Sequence, residues 1–252
     1  MARHALEARS LRRTFGGIAA VDDVQLAVPA GEFRAIIGPN GAGKTTLFNL
    51  LAGRIRVERG QIFFADRDIT RLPAHARSRI GIGRTFQINN VFPHATVNEN
   101  VQLALLAHHR RSWNMFSTAD ALFREETNEV VAMVGLDGQG ERFASEISYG
   151  DRRRLELAIA LACRPSLLLL DEPTCGMSVV ERPALVELIQ RIRRQRGMTV
   201  ILIEHDMDLV FSASEAITVM HRGRVIAEGA PEAIARNVQV QEVYMGEGHG
   251  YA

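Results

Sequence analysis

The chain is predicted to be an α/β protein organised around a parallel sheet, and three stretches of its 252 residues carry that prediction. A short apolar run at 33–37 feeds a glycine-rich loop and then a helix opening at Lys44, the strand-loop-helix order of a parallel unit. A second run at 167–170 is followed by a helix over about 181–196, stopped by Gly197, and by a third run at 199–203. Strand, helix, strand implies a crossover between parallel strands. This reading sets the 167–170 strand directly beside the 33–37 strand. Between the two halves, roughly 95–165 has helical signals and forms a subdomain of its own.

Taken in order, residues 7–37 are strand-like, with loose alternation from Val21 to Val28 and a turn at Pro29-Ala-Gly31 before the buried run. The helix from Lys44 runs to about Ala52 and ends at Gly53, and 61–64 is a strand entering a turn at Asp66-Arg-Asp68. Thr96-Val-Asn-Glu99 is a capping box for a helix to about His109. Ser117-Thr-Ala-Asp120 starts another ending near Gly135. Ser148 is a natural N-cap for a helix to about Cys163. Segments 216–220 and 224–228, joined through Arg222-Gly223, make a hairpin, and a short helix starts at Pro231. Internal repeats and low-complexity segments are absent.

Composition narrows the function classes. With 46% apolar residues the chain has ample material for a core. A formal net charge of +1 supplies no field to recruit nucleic acid, although Arg152-Arg153-Arg154 is locally basic. The two cysteines, Cys163 and Cys175, form no CxxC and no metal-binding cluster, which suits a reducing compartment. Charges within the first nine residues argue against an export signal. Apolar stretches such as 167–170 and 198–203 fall far short of the roughly 20 residues that span a bilayer. A cytoplasmic protein, peripheral at most on a membrane, is expected. Of the 30 basic residues only Lys44 is a lysine, and a compact ammonium is not interchangeable with a guanidinium fork.

That lysine lies in Gly38-Pro39-Asn40-Gly41-Ala42-Gly43-Lys44-Thr45, a phosphate-binding loop pattern set between strand and helix. Glycines let successive backbone N–H groups curl around a phosphate, the helix N-terminus adds its positive end, and Lys44 bridges the outer phosphates. The Thr45 hydroxyl suits Mg²⁺. The 167–170 strand ends in Asp171 and Glu172: the first suits the second shell of Mg²⁺, the second a general base for an attacking water. His205 follows the 199–203 strand, at the edge where α/β folds bind ligands, within reach of a γ-phosphate. Ser148-Tyr149-Gly150-Asp151 opens a second helix whose end is a second anion site. One nucleotide need not satisfy both sites, so the second is expected to serve a nucleotide on another subunit.

The order of these segments resembles the ABC transporter ATPase family over nearly the whole chain. In that family's terms 38–45 is Walker A, Gln87 the Q-loop, 148–152 the signature, Asp171 and Glu172 Walker B and base, Pro173-Thr-Cys-Gly-Met-Ser178 the D-loop, and His205 the switch histidine. The resemblance implies a P-loop NTPase (RecA-like) core with an antiparallel β subdomain and an α-helical subdomain. It divides the chain into 1–94 (β subdomain, Walker A, Q-loop), 95–165 (helical subdomain with the signature), 166–236 (Walker B, D-loop, switch histidine) and a tail, 237–252. ATP and Mg²⁺ are the implied cofactors. Phe15 falls where the family stacks an aromatic on adenine, Thr46 extends the ATP-binding loop, and Gln87 joins Thr45 and Asp171 around the metal. Lys44, Gln87, Glu172 and His205 are the implied catalytic set.

Two such subunits, identical or different, would sit head to tail, with Ser148, Tyr149, Gly150 and Asp151 facing the partner's ATP. Two transmembrane permease subunits and, indirectly, an extracytoplasmic solute-binding protein complete the implied assembly on the inner face of the cytoplasmic membrane. Within the family, Arg84-Thr-Phe-Gln87, the 92–101 segment, Ile147-Ser-Tyr-Gly150, Ile203-Glu-His-Asp-Met207 and Val243-Tyr-Met-Gly246 resemble the branched-chain amino-acid importers, with urea and amide importers close by. A soluble ABC ATPase of DNA repair, translation or cluster assembly is the alternative outside transport. Tyr149 and Asp151 depart from the commonest Gly and Gln of the signature. A carboxylate at a helix N-terminus favours the helix and would repel a γ-phosphate that it faced.

Overall fold

The computed structural model describes residues 4–85, 91–109 and 123–246. The helix expected from Ser117 begins outside these residues. Two sheets organise the chain. The first is antiparallel, built from β1 (His4–Phe15), β2 (Ile18–Pro29), β4 (Arg59–Phe64) and β5 (Arg67–Asp68) in the order β2-β1-β4-β5. The second holds β3 (Phe33–Ile37), β6 (Ile82–Arg84), β7 (Leu167–Asp171), β8 (Thr199–Ile203) and β9 (Ala216–His221), all parallel, with β10 (Arg224–Gly229) antiparallel at one edge.

The order in that second sheet is β10-β9-β3-β8-β7-β6. The expectation that the 167–170 strand lies directly beside 33–37 is therefore corrected, because β8 stands between them. Local sequence signals fix which segments are strands, whereas neighbour order is decided by how each crossover packs back on the sheet. The consequence is functional: whatever follows β8 is placed between the ends of β3 and β7.

Parity along each strand sorts the core, since successive side chains point to opposite faces. Leu167, Leu169, Ile201, Ile203 and Ile36 pack with α1 (Lys44–Leu51) and the antiparallel sheet. Leu168, Leu170, Val200 and Leu202 pack on the other face with α3 (Val97–His109), α4 (Arg124–Met133), α5 (Tyr149–Ala162) and α6 (Glu181–Arg196). These strand residues are fully buried, and each such side chain contributes about 1.5–3 kcal/mol.

The caps follow from local chemistry. Thr96 and Glu99 exchange their bonds in the capping box, backbone N–H of Thr96 to Glu99 Oε2 at 2.7 Å and N–H of Glu99 to Thr96 Oγ1 at 3.1 Å. Gly197 ends α6 at φ 62°, the left-handed conformation that glycine adopts without a Cβ penalty. Two short elements, α2 (Ala74–Arg79) and β6, carry no clear sequence signal, whereas α7 (Met207–Ala213) opens on Asp206, whose carboxylate accepts from the Leu209 N–H at 3.3 Å. The chain closes with α8 (Pro231–Ala235) and α9 (Val238–Gly246). Among the described residues no helix is long and apolar enough to cross a membrane.

Candidate functional site

Three parallel strands end on one edge, and the register aligns them. Ile36 pairs with Ile203, and Ile203 pairs with Asp171, so the loop after β3, the Glu204-His205 turn after β8 and the Asp171-Glu172 turn after β7 emerge side by side. This is the edge where parallel sheets place ligands.

The loop after β3 is held open by glycine. Gly38, Gly41 and Gly43 have φ of 151°, 77° and 99°, and Gly43 is the N-cap of α1. A Cβ on Gly38 would collide with the Met220 carbonyl oxygen, so this residue must be glycine for β3 and the loop to pass beside β9. Gly38→Ala is accordingly expected to lower stability by about 3 kcal/mol, from strain and overlap together, read as a lower urea midpoint at constant slope. Lys44 is buried, with Nζ donating to the carbonyls of Gly38 and, at 2.9 Å, Pro39. Its ammonium thus stands inside the curl of the loop. Thr45 is exposed and Thr46 half-buried in the first turn of α1, where backbone N–H groups have no intrahelical partner. Asn40 and Gly41 lie exposed at the tip, while Pro39 and Ala42 are buried.

Asp171 has a fully buried side chain, and its Oδ2 accepts from Arg84 Nη2 at 3.1 Å. Arg84 Nη1 donates to Asn49 Oδ1 of α1 at 2.8 Å, so one guanidinium ties the end of β7 to the helix that follows the loop. Burial raises the Asp171 carboxyl above its usual range, with the Arg84 guanidinium opposing the rise. The other oxygen, Oδ1, is buried without a partner among the described residues. A buried carboxylate oxygen left over beside a hydroxyl-bearing helix start fits a hard divalent cation and its waters.

Glu172 takes φ 50°, a left-handed conformation that non-glycine residues visit rarely and that clusters at functional sites. The turn is held by its N–H donating to the Ile203 carbonyl at 2.9 Å. It aims the carboxylate at His205, whose Nε2 lies 2.8 Å from Glu172 Oε1. An ionised carboxylate only accepts, so the imidazole nitrogen is the donor. Glu204 turns inward instead. Its Oε1 accepts from the Thr174 N–H at 3.0 Å and the Thr174 hydroxyl at 2.5 Å, and its Oε2 accepts from the His205 N–H at 3.1 Å.

Ser148 caps α5 as expected, accepting from the Asp151 N–H at 3.1 Å. Asp151 does not project freely: its Oδ2 accepts from Ser148 Oγ at 2.9 Å and from Gln139 Nε2 at 3.3 Å. The carboxylate that would have repelled a phosphate is thereby turned onto its own cap. Tyr149, half exposed, bonds to the backbone of Cys175 rather than to the phosphate loop. Phe15 is exposed at the end of β1, with the Arg13 guanidinium 4.9 Å from its ring centre. Gln87 lies outside the described residues.

The structure therefore brings together the phosphate loop, Asp171, Glu172 and His205. It sets the Ser148–Asp151 helix start apart from them, with its bonds to Gln139, Arg153 and Cys175. Sequence reasoning missed Arg84 and Glu204 as the groups that fix Asp171 and His205. Their signal was positional, a charged residue at the last position of, or just after, a strand on the same edge.

A parallel sheet whose strand ends present a glycine loop with a buried lysine, a carboxylate pair and a histidine defines a P-loop nucleotide-binding cassette. Comparison with known proteins agrees. A family model described as ABC transporter matches residues 21–175, and one described as branched-chain amino acid ATP-binding cassette transporter matches 224–250. The high-affinity branched-chain amino acid transport ATP-binding protein LivG of Escherichia coli is 38% identical, covering 98% of this chain and all of the relative. Its counterpart BraF of Pseudomonas aeruginosa is 39% identical with the same coverage. A solved ATP-binding cassette of an ABC transporter in its ADP conformation superimposes with a TM-score of 0.86 at 27% identity, over 96% of this chain and 99% of that one. The chain belongs to the ABC transporter family and is one of its ATP-binding subunits, a nucleotide-binding ATPase.

Proposed function

We propose that the chain powers an importer of branched-chain amino acids, hydrolysing Mg-ATP and passing the resulting motion to two permease subunits that it does not contain. The observation that carries the chemistry is the 2.8 Å pair of His205 and Glu172 at neighbouring strand ends, one strand away from the phosphate loop. In this reading the 38–46 loop and Lys44 bind the phosphates, and Phe15 stacks on the adenine. Thr45, Asp171 and Gln87 hold Mg²⁺, which when bound neutralises phosphate charge. Glu172 polarises the attacking water, and His205 orients that carboxylate and reaches for the γ-phosphate. The buried Arg84 keeps Asp171 in register with α1.

A second cassette, identical or different, completes each site by presenting its own Ser148 helix start. Support comes from the single chain's having two anion-seeking helix ends whose side chains do not meet. In the closed pair ATP stabilises contact between subunits, and hydrolysis removes that preference, which is how an equilibrium is driven in turn. Segment 95–165 is the part proposed to contact the permeases, with the cassette held on the inner face of the cytoplasmic membrane and an extracytoplasmic binding protein delivering cargo. The amino-acid cargo is supported by near full-length similarity to the two transport proteins and by the match over the C-terminal segment.

Two measurements test this reading. Calorimetry of the folded full chain with ATP and Mg²⁺ is expected to show saturable binding, and absence of uptake at millimolar nucleotide would refute it. Purification of the endogenous complex is expected to bring down polytopic membrane proteins whose binding partner takes leucine, isoleucine or valine. Nucleic acid or ribosomes in their place would point to the non-transport alternative.

A further inference from the structure

We infer that Tyr149 and Arg153 are positioning residues that lock the 173–178 segment onto the start of α5 in the same subunit. The end of one chain that serves its own nucleotide and the end that serves its partner's then move as one. The inference rests on the ATPase reading above and deepens it.

The lock is a closed set of bonds around one carbonyl. Cys175 O accepts from Tyr149 Oη at 2.9 Å and from Arg153 Nη2 at 3.0 Å, while Arg153 Nη2 also donates to Tyr149 Oη at 2.7 Å. The guanidinium lies 5.1 Å from the centre of the tyrosine ring, and its Nη1 is fixed by Glu156 Oε2 at 2.8 Å. Burial does not explain this placement, because the tyrosine is 47% exposed. Gly176 is matched to it: at φ 80°, any Cβ there would come within 2.6 Å of Tyr149 Oη. One turn further on, Ser178 Oγ donates to Glu181 Oε2 at 2.6 Å, and Glu181 lies against Gly150.

The segment is equally tied to the catalytic edge. Cys175 N–H donates to the Glu172 carbonyl at 3.1 Å, and buried Thr174 is held by Glu204, whose next residue is His205. Arg153 also lines, with Thr85 and Asp171, a cavity of about 10 Å³, room for roughly one water. Its buried Nε has no partner among the described residues, nor does Thr85 Oγ1. Four residues of backbone thus separate Glu172 from Met177, pinned to His205's turn on one side and to Ser148's helix on the other. A displacement at one pin has no slack in which to be absorbed.

Tyr149→Phe keeps the ring and removes the shared hydroxyl; Arg153→Met removes the second donor, and Arg153→Lys restores a cation that can reach the carbonyl. In the nucleotide-free full chain, maleimide labelling of Cys175, read by peptide mass, is expected to quicken about fivefold in the Phe and Met variants and to return toward the wild-type rate in the Lys variant. In the purified complex, kcat for ATP is expected to fall about threefold to tenfold in the Phe variant, as for one lost hydrogen bond, with KM unchanged within twofold. Unaltered labelling together with unaltered kcat in Tyr149→Phe overturns the lock while leaving the ATPase assignment intact. A raised KM at constant kcat also overturns it, by making the hydroxyl a nucleotide contact. A wild-type complex without ATP turnover overturns the ATPase reading, and the lock with it.

Discussion

Glu172→Gln is expected to bind Mg-ATP as the wild type does and to lose turnover by about a hundredfold or more, the range that a positioned general base contributes. The substitution is nearly isosteric. Its amide oxygen can still accept from His205 Nε2, where Glu172 Oε1 now sits at 2.8 Å, so the turn and its left-handed backbone are not disturbed. What is lost is the negative charge that draws a proton from water. Nucleotide affinity depends on the 38–46 loop and Lys44, a strand away, and is expected to stay within about twofold. Calorimetry for binding and phosphate release for turnover separate the two quantities, and undiminished phosphate release in the variant would remove Glu172 from the mechanism. His205→Ala on the same assays distinguishes an orienting partner from a bystander, since it leaves the carboxylate charged but unaimed.

Much of this edge is legible in the sequence because its determinants are local. The positive φ of Gly38, Gly41 and Gly43 is written as glycine spacing, and the lone lysine marks where an ammonium is irreplaceable. Ser148, the Thr96–Glu99 box and Gly197 each act within one helical turn, so their caps could be placed to the residue. Strand order was not legible: that β8 separates β3 from β7 depends on contacts between segments more than a hundred residues apart in the chain. Nor could the sequence single out Arg84 among so many arginines. Only the folded sheet shows that it meets Asp171, 87 positions later. The Tyr149–Cys175 bond is non-local in the same way, as is the Gln139 bond to the Asp151 carboxylate.

Arg77 sets the largest stability effect. It is 1% exposed and has no carboxylate partner among the described residues. Its guanidinium donates instead to four backbone carbonyls: Leu50 at 2.8 Å, Leu51 at 2.7 Å, Leu72 at 2.9 Å and Thr70 at 3.1 Å. Two of these belong to the last turn of α1, the helix that carries Lys44 at its other end, where carbonyls lack intrahelical partners and a cation is favoured. Burial pulls its pKa down to about 10, still well above neutrality, so the group stays charged and all its donors remain available. Gly53 is part of the same arrangement, for a Cβ there would come within 2.8 Å of Arg77 Nε. Arg77→Leu fills much of the volume but strands up to three buried or part-buried acceptors, each costing about 1–3 kcal/mol before relaxation and water entry, while the Leu50 carbonyl keeps the Gly53 N–H at 3.1 Å. A net loss of about 3–5 kcal/mol is therefore expected, a large fraction of a domain's stability. Arg77→Lys should recover only part of it, because one ammonium cannot reach four carbonyls spread over the fork. Urea midpoints of the three proteins check this. A leucine variant within about 1 kcal/mol of wild type would mean that solvent already satisfies those carbonyls, and that the end of α1 owes its placement to the apolar packing of Leu47, Phe48 and Leu51 instead.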